Sequence, residues 1–180
     1  MKVIIFHGWG STSKDNWFPW LKNKLEEKAH EVYCPDLPNT NFPSKDEWLK
    51  EALKLPIDEN TILVSHSLGT ILIMRLLEKL KVKSAYLVAS FDEDLGINEL
   101  MSFFKDEFDY ETIKKNAEKI IMLSSDNDPY IPLHIAKRLQ KNLDCGLIIF
   151  EGMEHLSNGT GNLQFPELLE MILNESNKEK

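Results

Sequence analysis

Hydrophobic positions along the chain gather into six short runs: Lys2 to Phe6, Glu31 to Cys34, Thr61 to Val64, Ser84 to Val88, Ile120 to Ser124 and Gly146 to Phe150. Each is too short for a helix, lacks strict alternation of apolar and polar residues, and is bounded by Gly, Pro, Asp or Asn. Those features predict strands covered on both faces, as in a parallel sheet. Between the runs the period changes to that of a helix. Trp17 to Lys28 places Trp17, Trp20, Leu21 and Leu25 on one face, with Asp15 or Asn16 available as N-cap. Lys45 to Leu55 repeats the pattern with Trp48, Leu49, Ala52 and Leu53, and Ser44 with Glu47 offers a capping box. Leu68 to Leu80 is almost wholly apolar in its first half, which predicts a deeply buried helix. Leu133 to Leu143 and Gln164 to Leu173 complete the set, with Pro132 and Pro166 near their starts. Strands alternating with helices in this order predict a doubly wound α/β domain with helices on both faces of the sheet.

One stretch breaks the alternation. From Phe91 to Ile113 the chain is acidic yet carries Phe91, Leu95, Leu100, Phe103, Phe104, Phe108 and Tyr110. Its aromatic content argues against disorder, and its length argues for a functional segment. It reads either as a small cap containing one helix, after the fourth strand, or as an ordinary helix over the sheet with long connections.

Composition narrows the class. The 180 residues suit a single domain spanning 1–180, and 42% hydrophobic with 28% charged residues is ordinary for a soluble globular chain. A net charge of -8, spread along the chain, repels phosphate backbones and argues against a nucleic-acid partner. The apolar N-terminal run stops at His7-Gly8, too short for a signal peptide or a membrane span, so no membrane association and a cytoplasmic location are expected. Asn174 to Lys180 reads as a frayed helix end. Cys34 and Cys145 show no metal-ligand or redox spacing and are expected as buried, reduced thiols; no histidine pair has the helical spacing of a zinc site.

Four segments carry candidate chemistry, each just past a strand. Ser65-His66-Ser67-Leu68-Gly69 lies between an apolar strand and an apolar helix, where a sharp turn would expose Ser67 at the C-terminal end of the sheet. Such a turn crowds the residues two before and two after the serine. Gly69 meets that requirement, whereas Ser65 stands where the usual G-x-S-x-G pattern has glycine and puts the geometry of the turn in question. Alone, this segment reads equally well as an ordinary strand-to-helix turn. His7-Gly8-Trp9-Gly10 follows the first strand. The backbone amides of Trp9 and Leu68 are the natural pair to stabilise an oxyanion, although the glycines could serve a tight turn alone. Ser125-Asp126-Asn127-Asp128-Pro129 offers a carboxylate to orient a histidine. Asp128, before the Pro-x-Ile-Pro turn, is preferred and Asp126 is the alternative, the other serving a turn hydrogen bond. Gly152-Met153-Glu154-His155 supplies the histidine. With parallel strands, Ser67, Asp128 and His155 meet at one end of the sheet, in the chain order of the α/β-hydrolases. His66 is expected to make local hydrogen bonds, His7 to line the pocket, and His30 and His134 to lie at the surface or a helix end.

Together with the Trp17-Phe18-Pro19-Trp20-Leu21 helix and Pro35-Asp36-Leu37-Pro38, these segments resemble the small serine hydrolases of the YdeN and retinoblastoma-binding-protein-9 family, over Met1 to about Leu173. The resemblance implies a minimal α/β-hydrolase fold, a three-layer α/β/α sandwich on a six-stranded parallel sheet, that begins at the strand bearing the oxyanion loop. It also implies the triad Ser67, Asp128 and His155. Two departures stand out, Ser65 in the elbow and a shortened stretch between Gly10 and Trp17. The expected activity is hydrolysis of an ester or related acyl bond through an acyl-enzyme, with a small-molecule acyl substrate and no metal or organic cofactor. Trp9, Phe42, Phe91 and Phe103 are candidate pocket walls, suited to a small apolar acyl group. The rival expectation is a protein-interaction module on a hydrolase scaffold of weak activity.

Overall fold

The computed structural model describes residues 1–157 and 164–176. Six strands, β1 (Lys2–Phe6), β2 (Glu31–Tyr33), β3 (Thr61–His66), β4 (Val82–Val88), β5 (Ala117–Ser125) and β6 (Gly146–Phe150), form one parallel sheet in the order β2-β1-β3-β4-β5-β6. The helices among the described residues are α1 (Phe18–Glu26), α2 (Lys45–Ala52), α3 (Leu68–Leu77), α4 (Tyr110–Lys115), α5 (Leu133–Leu143) and α6 (Pro166–Ser176), with a 3-10 turn at Asn98–Phe103. The extreme C-terminus, 177–180, lies outside the described residues.

Side chains alternate across the strands and so build two apolar layers. Val3, Ile5, Ile62, Val64, Tyr86, Val88 and Leu123 face α1 and α6, where Phe18, Leu21, Leu25, Leu168 and Ile172 meet them. Ile4, Phe6, Leu63, Ala85, Leu87 and Met122 face the opposite way, onto α2, α3 and α5. This is the expected three-layer sandwich. Every residue of α3 is buried, as its apolar sequence predicts, because it lies between the sheet and the neighbouring helices α2 and α4. The edge strand β6 departs from the expectation of cover on both faces: Ile148 and Ile149 remain exposed, since among the described residues no further strand pairs beyond it.

Some local expectations are corrected by tertiary contacts. Ser44 is the N-cap of α2, but no capping box forms. Instead Lys45 N–H donates to Ser102 Oγ, and Glu47 accepts from Asn39 Nδ2. Neither Asp15 nor Asn16 caps α1; Trp17 holds that position, and Pro19 occupies the first turn, where its missing N–H costs no bond. The two thiols are half-buried rather than buried, and burial pushes Cys34 up to about 12 and Cys145 to about 11, so neither is an activated nucleophile.

The 91–113 stretch holds the 3-10 turn at Asn98–Phe103 and the start of α4. Phe91, Leu100, Phe103 and Ile113 are buried in the core around α3. Arg75, in the midst of that apolar helix, is what ties the stretch down. Its guanidinium donates to the carbonyls of Phe103, Asp106 and Glu107, pairs with Glu78 at 2.8 Å, and stacks 3.9 Å from the Phe108 ring centroid. At the other end, buried Asp92 accepts from Arg138, Asn142 and Tyr110. On the far side of the sheet, Glu175 of α6 accepts from Ser84, Tyr86 and Lys119. Among the described residues no helix is long and apolar enough to cross a membrane.

Candidate active site

The chain runs from β1 outward to β2 and then crosses back to β3, so the loops after β1 and β3 diverge at the C-terminal end of the sheet and leave a crevice. Ser67 stands at that crevice, between the last residue of β3 and the first of α3. Its backbone is at φ 52°, ψ -124°, a region that L-residues avoid at a cost of about 1–3 kcal/mol. The surroundings enforce it. Ser67 N–H donates to Val88 O at 2.9 Å, and a β-carbon on Gly69 would lie 2.6 Å from His7 O and 2.8 Å from Phe6 O. A β-carbon on Gly8 would lie 2.9 Å from Ser67 Cβ. The end of β1 therefore fits against the turn only because both positions are glycine.

Ser65 does not prevent this geometry. It sits in β3, paired between Phe6 and Leu87, fully buried, and its Oγ has no partner among the described residues. The hydroxymethyl group is accommodated within the packing around β3.

His155 lies in the loop after β6. Its Nδ1–H donates to Asp128 Oδ2 at 2.8 Å, and the other Asp128 oxygen accepts from the amides of Tyr130 and Ile131 at 2.9 and 3.0 Å. The carboxylate is thus buried and fully engaged, with Nε2 as the remaining ring nitrogen of His155. Asp126, the alternative carboxylate, accepts from Gly152 N–H at 2.8 Å and serves the loop instead.

That loop is held by an array of residues that the motif reading passed over. Met153 N–H donates to Ser125 Oγ, Glu154 N–H to Asn127 Oδ1, and the Trp17 indole to Leu156 O. His66 Nε2–H donates to His155 O at 2.8 Å, spanning 89 residues of sequence, so its bond is not local as expected. The signals were present, with Ser125 and Asn127 flanking Asp126 and His66 abutting Ser67, but polar residues at strand ends carry no mark of a distant partner.

His66 also gives the site a pH signature. Burial, then the neighbouring His155, lowers its pKa from 6.5 to about 3, so it is neutral when folded. The unfolded chain takes up a proton below 6.5 that the folded one refuses; stability is therefore lost as pH falls. At about pH 5 the loss from His66 alone is about 2 kcal/mol. His7, also lowered by burial, adds in the same direction. Urea unfolding at pH 7.5 and pH 5 should show this decline, and His66→Gln should flatten it.

Ser67, His66 and His155 open onto a cavity of about 520 Å³. Its walls include Trp9 and Leu68, the two residues whose amides were expected to receive an oxyanion, together with Phe91, Leu95, Ile97 and Leu100 from the stretch after β4. Leu68 is the first residue of α3, so its amide has no acceptor within its own helix. The neighbouring amides of Gly10 and Ser11 are taken by Thr40 O and Gly8 O. Tyr130, 67% exposed, stands at the edge with its ring 5.0 Å from that of His155.

Three expected pocket residues are not in this wall. His7 is fully buried: its Nε2 accepts from Leu37 N–H while Nδ1–H donates to Gly8 O, a structural pairing that props the β1 turn. Phe103 is buried in the core against Trp48. Phe42 is 75% exposed and is not among the residues that line the cavity. Each failure has one cause: an aromatic or imidazole near a site in sequence can turn to either side of its backbone, and packing chooses.

Known proteins resemble this chain over nearly its whole length. YdeN of Bacillus subtilis is 29% identical over 99% of this chain and 97% of its own length. Serine hydrolase RBBP9 of Rattus norvegicus is 29% identical over 94% and 91%. The crystal structure of the ydeN gene product from B. subtilis superposes with a TM-score of 0.89 at 28% identity, covering 96% of this chain and 97% of that one. The family model for serine hydrolases matches residues 3–174, and this chain, with its α/β-hydrolase fold, belongs to that family.

Proposed function

We propose that this serine hydrolase cleaves carboxylic esters or closely related acyl bonds through an acyl-enzyme, with Ser67 as nucleophile, His155 as general base and Asp128 as the carboxylate behind it. The observation that carries the reading is convergence on one cavity of a serine in a strained turn and an imidazole bound at 2.8 Å to a buried carboxylate. A hydroxyl is a weak nucleophile until a base accepts its proton as it attacks. His155 Nε2 takes that proton while Ser67 Oγ bonds to the carbonyl carbon, and Asp128 stabilises the imidazolium that results. The amides of Trp9 and Leu68 receive the charge on the carbonyl oxygen. Collapse of the tetrahedral species breaks the bond to the leaving alcohol, which takes the proton from His155. Water, deprotonated by the same imidazole, then attacks the acyl-Ser67 ester, releasing the acid and restoring the serine. Phe91, Leu95, Ile97 and Leu100 favour an apolar group on one side of the reacting carbon.

A fluorophosphonate probe tests the reading without knowledge of the substrate, because it phosphonylates only an activated serine, with loss of fluoride. Labelling located at Ser67 by peptide mass spectrometry is the expected result. Folded protein that resists the probe overturns it.

A further inference from the structure

We infer that the cavity selects acyl substrates by charge, taking those that carry an ammonium group ahead of neutral ones and excluding those that carry a carboxylate, with Asp15 as the deciding residue. The inference rests on the hydrolase reading above and adds the class of substrate to it. Among the described residues that line the cavity, Asp15 is the one carboxylate, and there is no lysine or arginine. The undescribed stretch 158–163 has no charged residue in its sequence to alter that balance.

The Asp15 carboxylate is fixed by its own loop. Oδ2 accepts from Thr12 N–H at 2.7 Å, from Thr12 Oγ1 at 2.9 Å and from Ser11 Oγ at 3.2 Å, which holds the carboxylate in place at the cavity wall. All three bonds fall on one oxygen, and none of the three donors is a cation. Lys14, next in the chain, is exposed and outside the lining. The charge on Asp15 is therefore not neutralised from within the site. Two neighbours that could carry positive charge are histidines, and His66 is kept neutral by burial. The chain as a whole carries a net charge of -8, so its long-range field has the same sign as Asp15. A ligand carboxylate entering this cavity gives up water and meets an unpaired like charge; an ammonium group gains a partner where the apolar wall weakens screening.

The test compares p-nitrophenyl hexanoate with its terminally amino- and carboxy-substituted analogues, and, for charge on the leaving side, a choline ester with its neutral dimethylbutyl isostere. The expected kcat/KM order is ammonium, neutral, carboxylate, with about tenfold or more between the extremes in at least one series. Asp15→Asn, which keeps an acceptor for Thr12 N–H, should compress that span to within about threefold. Asp15→Glu, which keeps the charge, should retain the order. Equal compression in both variants, or no charge preference in the native enzyme, overturns the inference. Calorimetry on the native protein gives a reading independent of turnover: hexyltrimethylammonium should bind more tightly than hexanoate, and the reverse order overturns the inference. Failure of fluorophosphonate labelling overturns the hydrolase mechanism instead, while the binding order still decides the question of charge.

Discussion

Replacing Ser67 by alanine should lower kcat on a short-chain p-nitrophenyl ester by roughly 10⁵-fold or more, with little change in the binding of substrate. The serine oxygen is the atom that forms the covalent bond, so nothing else in the site can substitute for it. Asp128→Asn should cost about 10⁴-fold for a different reason. The amide keeps its acceptor for Tyr130 and Ile131, but its NH₂ group turned toward His155 Nδ1 would favour the tautomer with the proton on Nε2, which cannot accept from Ser67. The loss should fall on kcat, and circular dichroism should show an intact fold for both variants. A Ser67→Ala protein with full esterase activity would end the mechanism proposed here.

Gly69→Ala should be among the most damaging single-methyl additions available in this chain. The new β-carbon would sit 2.6 Å from one backbone oxygen and 2.8 Å from another, both at the end of β1, where neither can swing aside as a side chain would. Relief requires β1 and the turn at Ser67 to separate, which costs roughly 3 kcal/mol or more. For a protein of this size that corresponds to a fall in Tm of roughly 6–12 °C, accompanied by loss of labelling at Ser67 because the turn itself has opened. Gly96→Ala isolates the other way a glycine can matter. Gly96 has φ +72° but nothing within 4 Å of a β-carbon, so only conformational strain is added, about 1 kcal/mol. Differential scanning fluorimetry of the two variants would separate steric exclusion from backbone strain; equal effects would mean that the contact at Gly69 is not what fixes the turn.

How much of this was legible beforehand depended on whether the determining contacts were local. The apolar runs marked β1, β3 and β4 because strand length and hydrophobicity are local, and the burial of α3 followed from a helix with no polar face apart from Thr70 and Arg75. Arg75 shows the limit of the same reasoning. An arginine in such a helix announces that it must be satisfied, but not that its partners are three carbonyls between Phe103 and Glu107. The capping box at Ser44 did not form: the Glu47 carboxylate, which would have reached back to Ser44 N–H, accepts from Asn39 Nδ2 instead, and Lys45 N–H finds its acceptor in Ser102, far along the chain. The doubt over Ser65 arose from treating the turn as a spacing rule, whereas the room two residues before Ser67 is set by how β3 packs between β1 and β4.

The candidate site divides along the same line. Which groups stand at the ends of strands, a serine after β3, carboxylates after β5 and a histidine after β6, was determined by the sequence, because a parallel sheet sends every such loop to one edge and leaves little freedom in where those groups arrive. The hydrogen bond that joins His155 to Asp128 rather than Asp126, the bond from His66 across the site, and the choice of Phe91 but not Phe103 or His7 for the cavity wall were decided only in the tertiary structure. Those outcomes turn on the direction of side chains and on loops bent at Glu154 and Leu156 into left-handed backbone, which packing from several distant segments imposes together and no single segment specifies.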